Sequence, residues 1–255
     1  MSDTPPGDIQ LPLMQHLLEL RTRLLHSVLA ILLIGGVLFY FSREIYAAVA
    51  QPLMQVLPEG TSMIATDVTS PFLVPFKLSL YLAILLAMPF LLHQAWAFIS
   101  PGLYRHEKRF AAPLLASSIL LFYAGVSFAY FVVFPVLFGF FTSIAPEGVA
   151  VMTDISRYLD FIITLFIAFG LAFELPIAIM LMIWSGLTTP EALREKRAYV
   201  VVGCFVIGML LTPPDIISQT LLAIPMWLLF ESGLLFARFI PVRDNDNPHR
   251  DLADD

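Results

Sequence analysis

Six apolar stretches, most of them long enough to cross a hydrocarbon core as a helix, constrain this chain more than any short motif in it. A helix rises about 1.5 Å per residue and the core is about 30 Å thick, so roughly 20 apolar residues make one crossing. Within the bilayer the backbone amides must be satisfied inside the segment, which favours helices. The stretches fall at residues 24–41, 72–98, 110–146, 161–187, 198–212 and 216–237. The expected fold is therefore all-α, a polytopic membrane protein with six transmembrane helices. The third stretch holds no Asp, Glu, Lys or Arg and exceeds one crossing, so its helix is expected to project beyond the membrane after Pro135. The fifth and sixth helices are expected to be short and to form a tight hairpin through Thr212-Pro213-Pro214-Asp215. The prolines end the fifth, and Asp215 is placed to cap the sixth. At about 15 residues the fifth reaches only about 22 Å, which predicts local thinning of the bilayer.

Composition and charge narrow the class. Of 255 residues, 58% are apolar and 13% charged, against about 25% charged in a soluble domain. A net charge of -6 removes the general basic surface of a nucleic-acid binder. Cys204 is the sole cysteine, and five scattered histidines give no zinc-ligand spacing, so no disulfide, metal or cofactor is expected. Walker, H-E-x-x-H and G-x-S-x-G patterns are absent, which argues against an enzyme. The first stretch ends in bulky Phe39, Tyr40 and Phe41 and reads as a retained anchor, not a cleaved leader.

Cations are retained on the cytoplasmic side of a membrane. Arg21, Arg23, Arg105, Lys108, Arg109, Arg194, Lys196, Arg197, Arg238, Arg243 and Arg250 fall on one side of the expected topology, and Arg43, Lys77 and Arg157 on the other. Both termini are therefore expected in the cytoplasm. The organisation reads as a cytoplasmic segment 1–23 with an amphipathic helix, a transmembrane domain 24–240, and a disordered acidic tail 241–255. The amphipathic stripe is Leu13, Leu17, Leu20 and Leu24.

Several polar residues stand out against this background. Glu19 sits beside its own cations, and reads either as a solvated carboxylate or as a cation receptor at the membrane face. Glu107, a lone acid in the basic loop 96–109, reads either as charge balance for Lys108 or Arg109 or as a second receptor. Two carboxylates on one face can each take a guanidinium in a forked pair, a chemistry that favours Arg over Lys. Glu174 lies mid-span before Leu175-Pro176, where an acid costs roughly 2.5 to 3.5 kcal/mol on insertion scales. It is either a protonated side chain bonded to backbone freed by Pro176, or part of a polar groove, partner contact or proton relay. Met209, Thr212 and Gln219 either fasten the last two helices together or receive a helix from another subunit. Glu231 can reach the interface and is read as structural, and the long stem of Lys77 can likewise reach the interface.

The run His16-Leu17-Leu18-Glu19-Leu20-Arg21, the loop 96–109, the stretch Phe128-Ala129-Tyr130-Phe131, the run Phe173-Glu174-Leu175-Pro176 and the hairpin Thr212-Pro213-Pro214-Asp215 with Ser218-Gln219 together resemble TatC, the large subunit of the twin-arginine protein translocase. The likeness extends over residues 13–239. It implies a cup-shaped, six-helix receptor in the cell inner membrane that binds the twin-arginine signal peptide of folded proteins. It implies single-span TatA and TatB partners, further copies of itself, and transport driven by the proton-motive force. By the same resemblance Glu19 and Glu107 match the acids that hold the arginine pair, with Phe98 and Leu103 beside them. Glu174 matches an acid facing the concave groove; Met209, Thr212 and Gln219 match the docking region for partner helices; Pro52, Asp67 and Asp215 match periplasmic positions that affect assembly or transport. The alternative is a proton-coupled secondary transporter of a small solute with Glu174 as coupling acid, although the related halves expected of such a protein are not evident.

Overall fold

The computed structural model describes residues 10–56, 64–99, 108–144, 153–212 and 215–237. Ten α-helices are present among them: α1 (Gln10–Tyr40), α2 (Ser42–Val56), α3 (Ser70–Ile99), α4 (Lys108–Phe128), α5 (Phe134–Ser143), α6 (Ile155–Ala172), α7 (Leu175–Trp184), α8 (Pro190–Glu195), α9 (Arg197–Leu211) and α10 (Ile216–Ala237). Five helical spans are long and apolar enough to cross a membrane: Met14–Tyr40, Ser70–Phe98, Ala112–Phe141, Ile155–Trp184 and Ile216–Ala237. The remaining expected crossing is α9, shorter at 15 residues. Its partner α10 has 22 residues, so of the two helices expected to be short only α9 is.

The third span carries a five-residue π segment, Ala129–Val133, between α4 and α5. It ends just before Pro135, whose ring lacks an N–H and crowds the carbonyl four residues earlier, and a wider turn relieves that conflict. The fourth span breaks at Phe173-Glu174, where Pro176 withholds the amide that would continue the ladder; it therefore consists of α6 and α7. Helix α1 runs through residue 23 as one helix of 31 residues. The acidic tail 241–255 lies outside the described residues.

By contacts the chain divides into two compact units. The first, Met1–Leu120 with Phe134–Thr164, is built on α1 packed against α3. Their contacts run in opposite senses along the two helices: His16 stacks on Phe98, Arg23 bonds Gln94, Gly35 approaches Ala83, and Phe39 meets Phe76. Helix α2 lies on α3, and Tyr158 packs its ring on Phe134 and Phe138 while donating its hydroxyl to the Val49 carbonyl at 3.2 Å. A parallel bridge pairs Ile64 with Asp154, and Lys77 forms an ion pair with Asp160. The long stem of Lys77 thus carries its ammonium to a partner carboxylate.

The second unit, Leu121–Val133 with Leu165–Asp255, packs α7 and α9 on α10. Ile179 and Ile183 meet Phe230, Leu234 and Ala237, and Ala172 and Cys204 meet Ala223 and Met226. Both units bury small or hydroxylated residues, Ser79, Ser118 and Ser218 among them, and expose Leu25, Leu32, Leu33, Phe131, Val202 and Leu228. That distribution suits a hydrocarbon solvent, in which helix contacts are made by close approach of small residues.

Candidate functional site

Glu19 lies on the face of α1 that meets the C-terminal end of α3. Helical periodicity puts His16, Glu19 and Arg23 on one stripe, three and four residues apart, and Gln94 and Phe98 on the facing stripe of α3. His16 stacks on Phe98 with ring centroids 4.1 Å apart. Arg23 donates Nε and Nη2 to Oε1 of Glu19 at 3.0 and 2.5 Å, and Nη1 to Oε1 of Gln94 at 3.2 Å. Leu18, Glu19, Thr22, Arg23, His26 and Gln94 line an open cleft of about 410 Å³. The Glu19 carboxylate is thus a guanidinium acceptor whose occupant belongs to its own helix. Both donors fall on Oε1, so Oε2 takes no hydrogen bond from the described residues.

Of the other residues expected at this site, Phe98 sits beside Glu19 through its stack on His16. Leu103 and Glu107 lie outside the described residues.

Glu174 stands at the junction of α6 and α7 with helix-like torsions, φ −77° and ψ −14°. Its carbonyl accepts the Ala178 amide at 2.9 Å and its own amide donates to the Leu171 carbonyl at 3.0 Å. The side chain is half-buried, with Oε1 enclosed by protein atoms. The preceding Phe173 packs at a tilt against Phe128, ring centroids 5.7 Å apart.

At the end of α9, Met209 is exposed and Thr212 is buried, with its hydroxyl donating to the Gly208 carbonyl at 3.0 Å. The Thr212 hydroxyl is therefore spent within its own helix and does not fasten α9 to α10. The fastening is steric: a Cβ on Gly208 would lie 3.3 Å from the Gln219 carbonyl oxygen, which brings the two backbones close. Asp215 caps α10 as expected, its Oδ1 accepting the Ser218 amide at 2.7 Å. Asp67 accepts the Thr69 hydroxyl at 2.9 Å just before α3. Pro52 falls within α2, an element the apolar pattern did not announce.

Other partnerships leave little local signal in the sequence. Arg23 reads there as a topogenic charge, although Glu four residues before Arg is a recognisable helix pair. Gln94 drew no attention, being one amide in a long apolar helix. Glu231 accepts from Arg197 Nη2 at 2.6 Å, across 34 residues of sequence. Asp154 binds across to Thr66, a link 88 residues apart that no local pattern encodes. Among the described residues no group of His, Cys, Asp and Glu is arranged to hold a metal ion.

These features define a polytopic helical membrane protein with a carboxylate that grips a guanidinium at one end of its first helix pair. Residues 15–225 match the family model described as Sec-independent protein translocase protein (TatC). The chain is 62% identical over 244 residues to the Sec-independent protein translocase protein TatC of Azotobacter chroococcum mcd 1, covering 96% of each. It is 58% identical over 228 residues to that of Escherichia coli strain K12, covering 89% of this chain and 88% of the relative. A crystal structure of the twin-arginine translocase receptor TatC superposes with a TM-score of 0.79 at 38% identity, covering 88% of this chain and 98% of the other. The chain belongs to the TatC family, and is accordingly a membrane-embedded, non-enzymatic component of a protein translocase. The small-solute transporter reading finds no support in these relationships.

Proposed function

We propose that this chain is the receptor subunit of a twin-arginine translocase in the cell inner membrane, with both termini in the cytoplasm. Glu19 and Glu107 hold the arginine pair of a signal peptide, and Phe98 and Leu103 contact the residues beside it. The apolar segment of the peptide then enters a groove that Glu174 faces. Met209, Thr212 and Gln219 receive TatA and TatB helices, and further copies of the chain complete the assembly, with transport drawing on the proton-motive force. Pro52, Asp67 and Asp215 act from the periplasmic side in assembly or transport. The observation that carries this reading is the two-donor grip of Glu19 on a guanidinium, a geometry an ammonium cannot reproduce.

The test is photocrosslinking from positions 98 and 103 to an Arg-Arg signal peptide and to a Lys-Lys control. Glu19→Ala or Glu107→Ala is expected to cut the Arg-Arg yield about tenfold, as for a charge-assisted bond of about 1.5 to 3 kcal/mol, and to change the already poor Lys-Lys yield less. Equal proportional loss for both peptides counts against forked recognition.

A further inference from the structure

The Glu19 carboxylate is engaged by a guanidinium of its own chain. Arg23, one helical turn along, places two N–H donors on Oε1, and Gln94 of α3 holds the third contact of the same guanidinium at 3.2 Å. Both members of the ion pair are mostly withdrawn from solvent, with side-chain exposures of 24% for Arg23 and 35% for Glu19. The pair lines the open cleft, so a visiting chain meets the carboxylate with its preferred partner in place.

We infer that Arg23 is a built-in competitor of the signal peptide: a resident guanidinium that occupies Glu19 and must yield it to the incoming arginine. The inference rests on the reading of Glu19 as a receptor acid. The chemistry follows from the geometry. A single strongly hydrated ammonium offers Glu19 less than the fork it would displace, whereas a second guanidinium offers the same donor set and can use Oε2 as well. Arg23 is tethered one turn away, so its hold is renewed at once unless the ligand is anchored elsewhere too. The result is a threshold: only a ligand that engages more than Glu19 alone keeps it. Gln94 supports this arrangement by holding the guanidinium of Arg23 at the wall of the cleft, where release from Glu19 does not leave it without a partner.

A resident competitor lowers the apparent affinity of every ligand for Glu19 by one common factor, the fraction of time the carboxylate is free. Titration of labelled Arg-Arg and Lys-Lys signal peptides onto membrane vesicles containing the full-length chain reads that factor. Arg23→Gln is expected to lower the apparent Kd of the Arg-Arg peptide roughly two- to fivefold, as for a partly exposed ion pair, and that of the Lys-Lys peptide, which draws less on Glu19, by less. Arg23→Lys keeps the positive charge and the flank of the first span but loses the fork, and is expected to give a smaller gain in the same direction. If Arg23 acted only through its charge, Arg23→Lys would bind as the parent does, and that result overturns the inference. Weaker or unchanged binding in Arg23→Gln overturns it too, because Arg23 would then orient Glu19 or stand apart from the site.

A Glu19→Gln arm separates the two levels of the argument. Loss of Arg-Arg binding in Glu19→Gln with no gain in Arg23→Gln removes the competitor and leaves the receptor site intact. Undiminished binding in Glu19→Gln removes Glu19 from the receptor site and the competitor with it. In the Glu19→Gln background the further change Arg23→Gln is expected to give no gain, since the two residues act on one carboxylate.

Discussion

Asp154 shows how one side chain can fix a connection between distant segments. Its Oδ2 accepts the Thr66 hydroxyl at 2.6 Å and the Thr66 amide at 3.0 Å, while Oδ1 accepts the amides of Ser156 and Arg157 at 2.9 and 3.0 Å. These donors favour the charged form, the Thr66 hydroxyl most, followed by the Arg157 amide, and hold the carboxyl at about 2, below its ordinary range. A depressed carboxylate contributes stability above its unfolded pKa, near 3.9, and that contribution disappears as pH falls through about 2. Acid is therefore expected to loosen the link between residues 64–66 and 153–157 across that window. Thermal melts of the purified protein should show an acid-dependent loss between about pH 4 and pH 2 that Asp154→Asn largely removes, because Asn does not titrate. A parent and variant that lose stability in parallel over this range would assign the effect to other groups. At this scale the sequence is only partly readable. The Asp215 cap is legible because donor and acceptor lie within one turn of each other. The Thr66 and Gln94 contacts are not, because 88 and 71 residues separate the partners and spacing carries no trace of the fold between them.

Among the elements, the spans were legible wherever apolar length alone decides, and α10 falls on the very residues its apolar stretch marks out. The break before α7 follows from Pro176, but the π segment required knowing how the chain around Pro135 accommodates its ring. Helix α2 was missed because a 15-residue amphipathic segment between two apolar stretches reads as loop when only long apolar runs are sought. How the helices touch depends on residues too small to attract notice. A Cβ on Gly125 would fall 2.4 Å from the Phe169 carbonyl oxygen, and one on Gly170 would fall 2.6 Å from the Phe122 ring. Two helices that approach through glycine cannot keep their spacing once either carries a methyl group. Gly125→Ala is therefore expected to destabilise the protein by about 1 to 3 kcal/mol, the usual range for overpacking. Gly203 provides the contrast: nothing lies within 4 Å of its would-be Cβ. Gly203→Ala should be neutral or stabilising by up to about 1 kcal/mol, since alanine restricts the unfolded chain and favours the helix. Thermal denaturation of the two variants in the same detergent compares them, and equal behaviour would contradict the close approach at Gly125.

For the molecule in its bilayer, the controlling quantity is the unequal length of α9 and α10. By helical rise the 15 residues of α9 reach about 22 Å and the 22 residues of α10 about 33 Å, around a hydrocarbon core of about 30 Å. The two helices cannot slide to share the difference, because the close backbone contact of Gly208 with Gln219 fixes their register. Tilt shortens the reach of a long helix but cannot lengthen a short one, so the mismatch at α9 must be met by the lipid. Each ångström of mismatch costs a fraction of a kcal/mol, enough to move the optimum membrane thickness measurably. The full-length protein is therefore expected to be most thermostable in bilayers thinner than the average core, with stability falling as acyl chains lengthen. Extending α9 by one turn of apolar residues ahead of Val202, on the side away from the Gly208 contact, should shift that optimum towards thicker bilayers by up to about 5 Å. An optimum that stays in place after the extension would mean that α9 does not set the local thickness, and that the rest of its unit holds the bilayer at its own length.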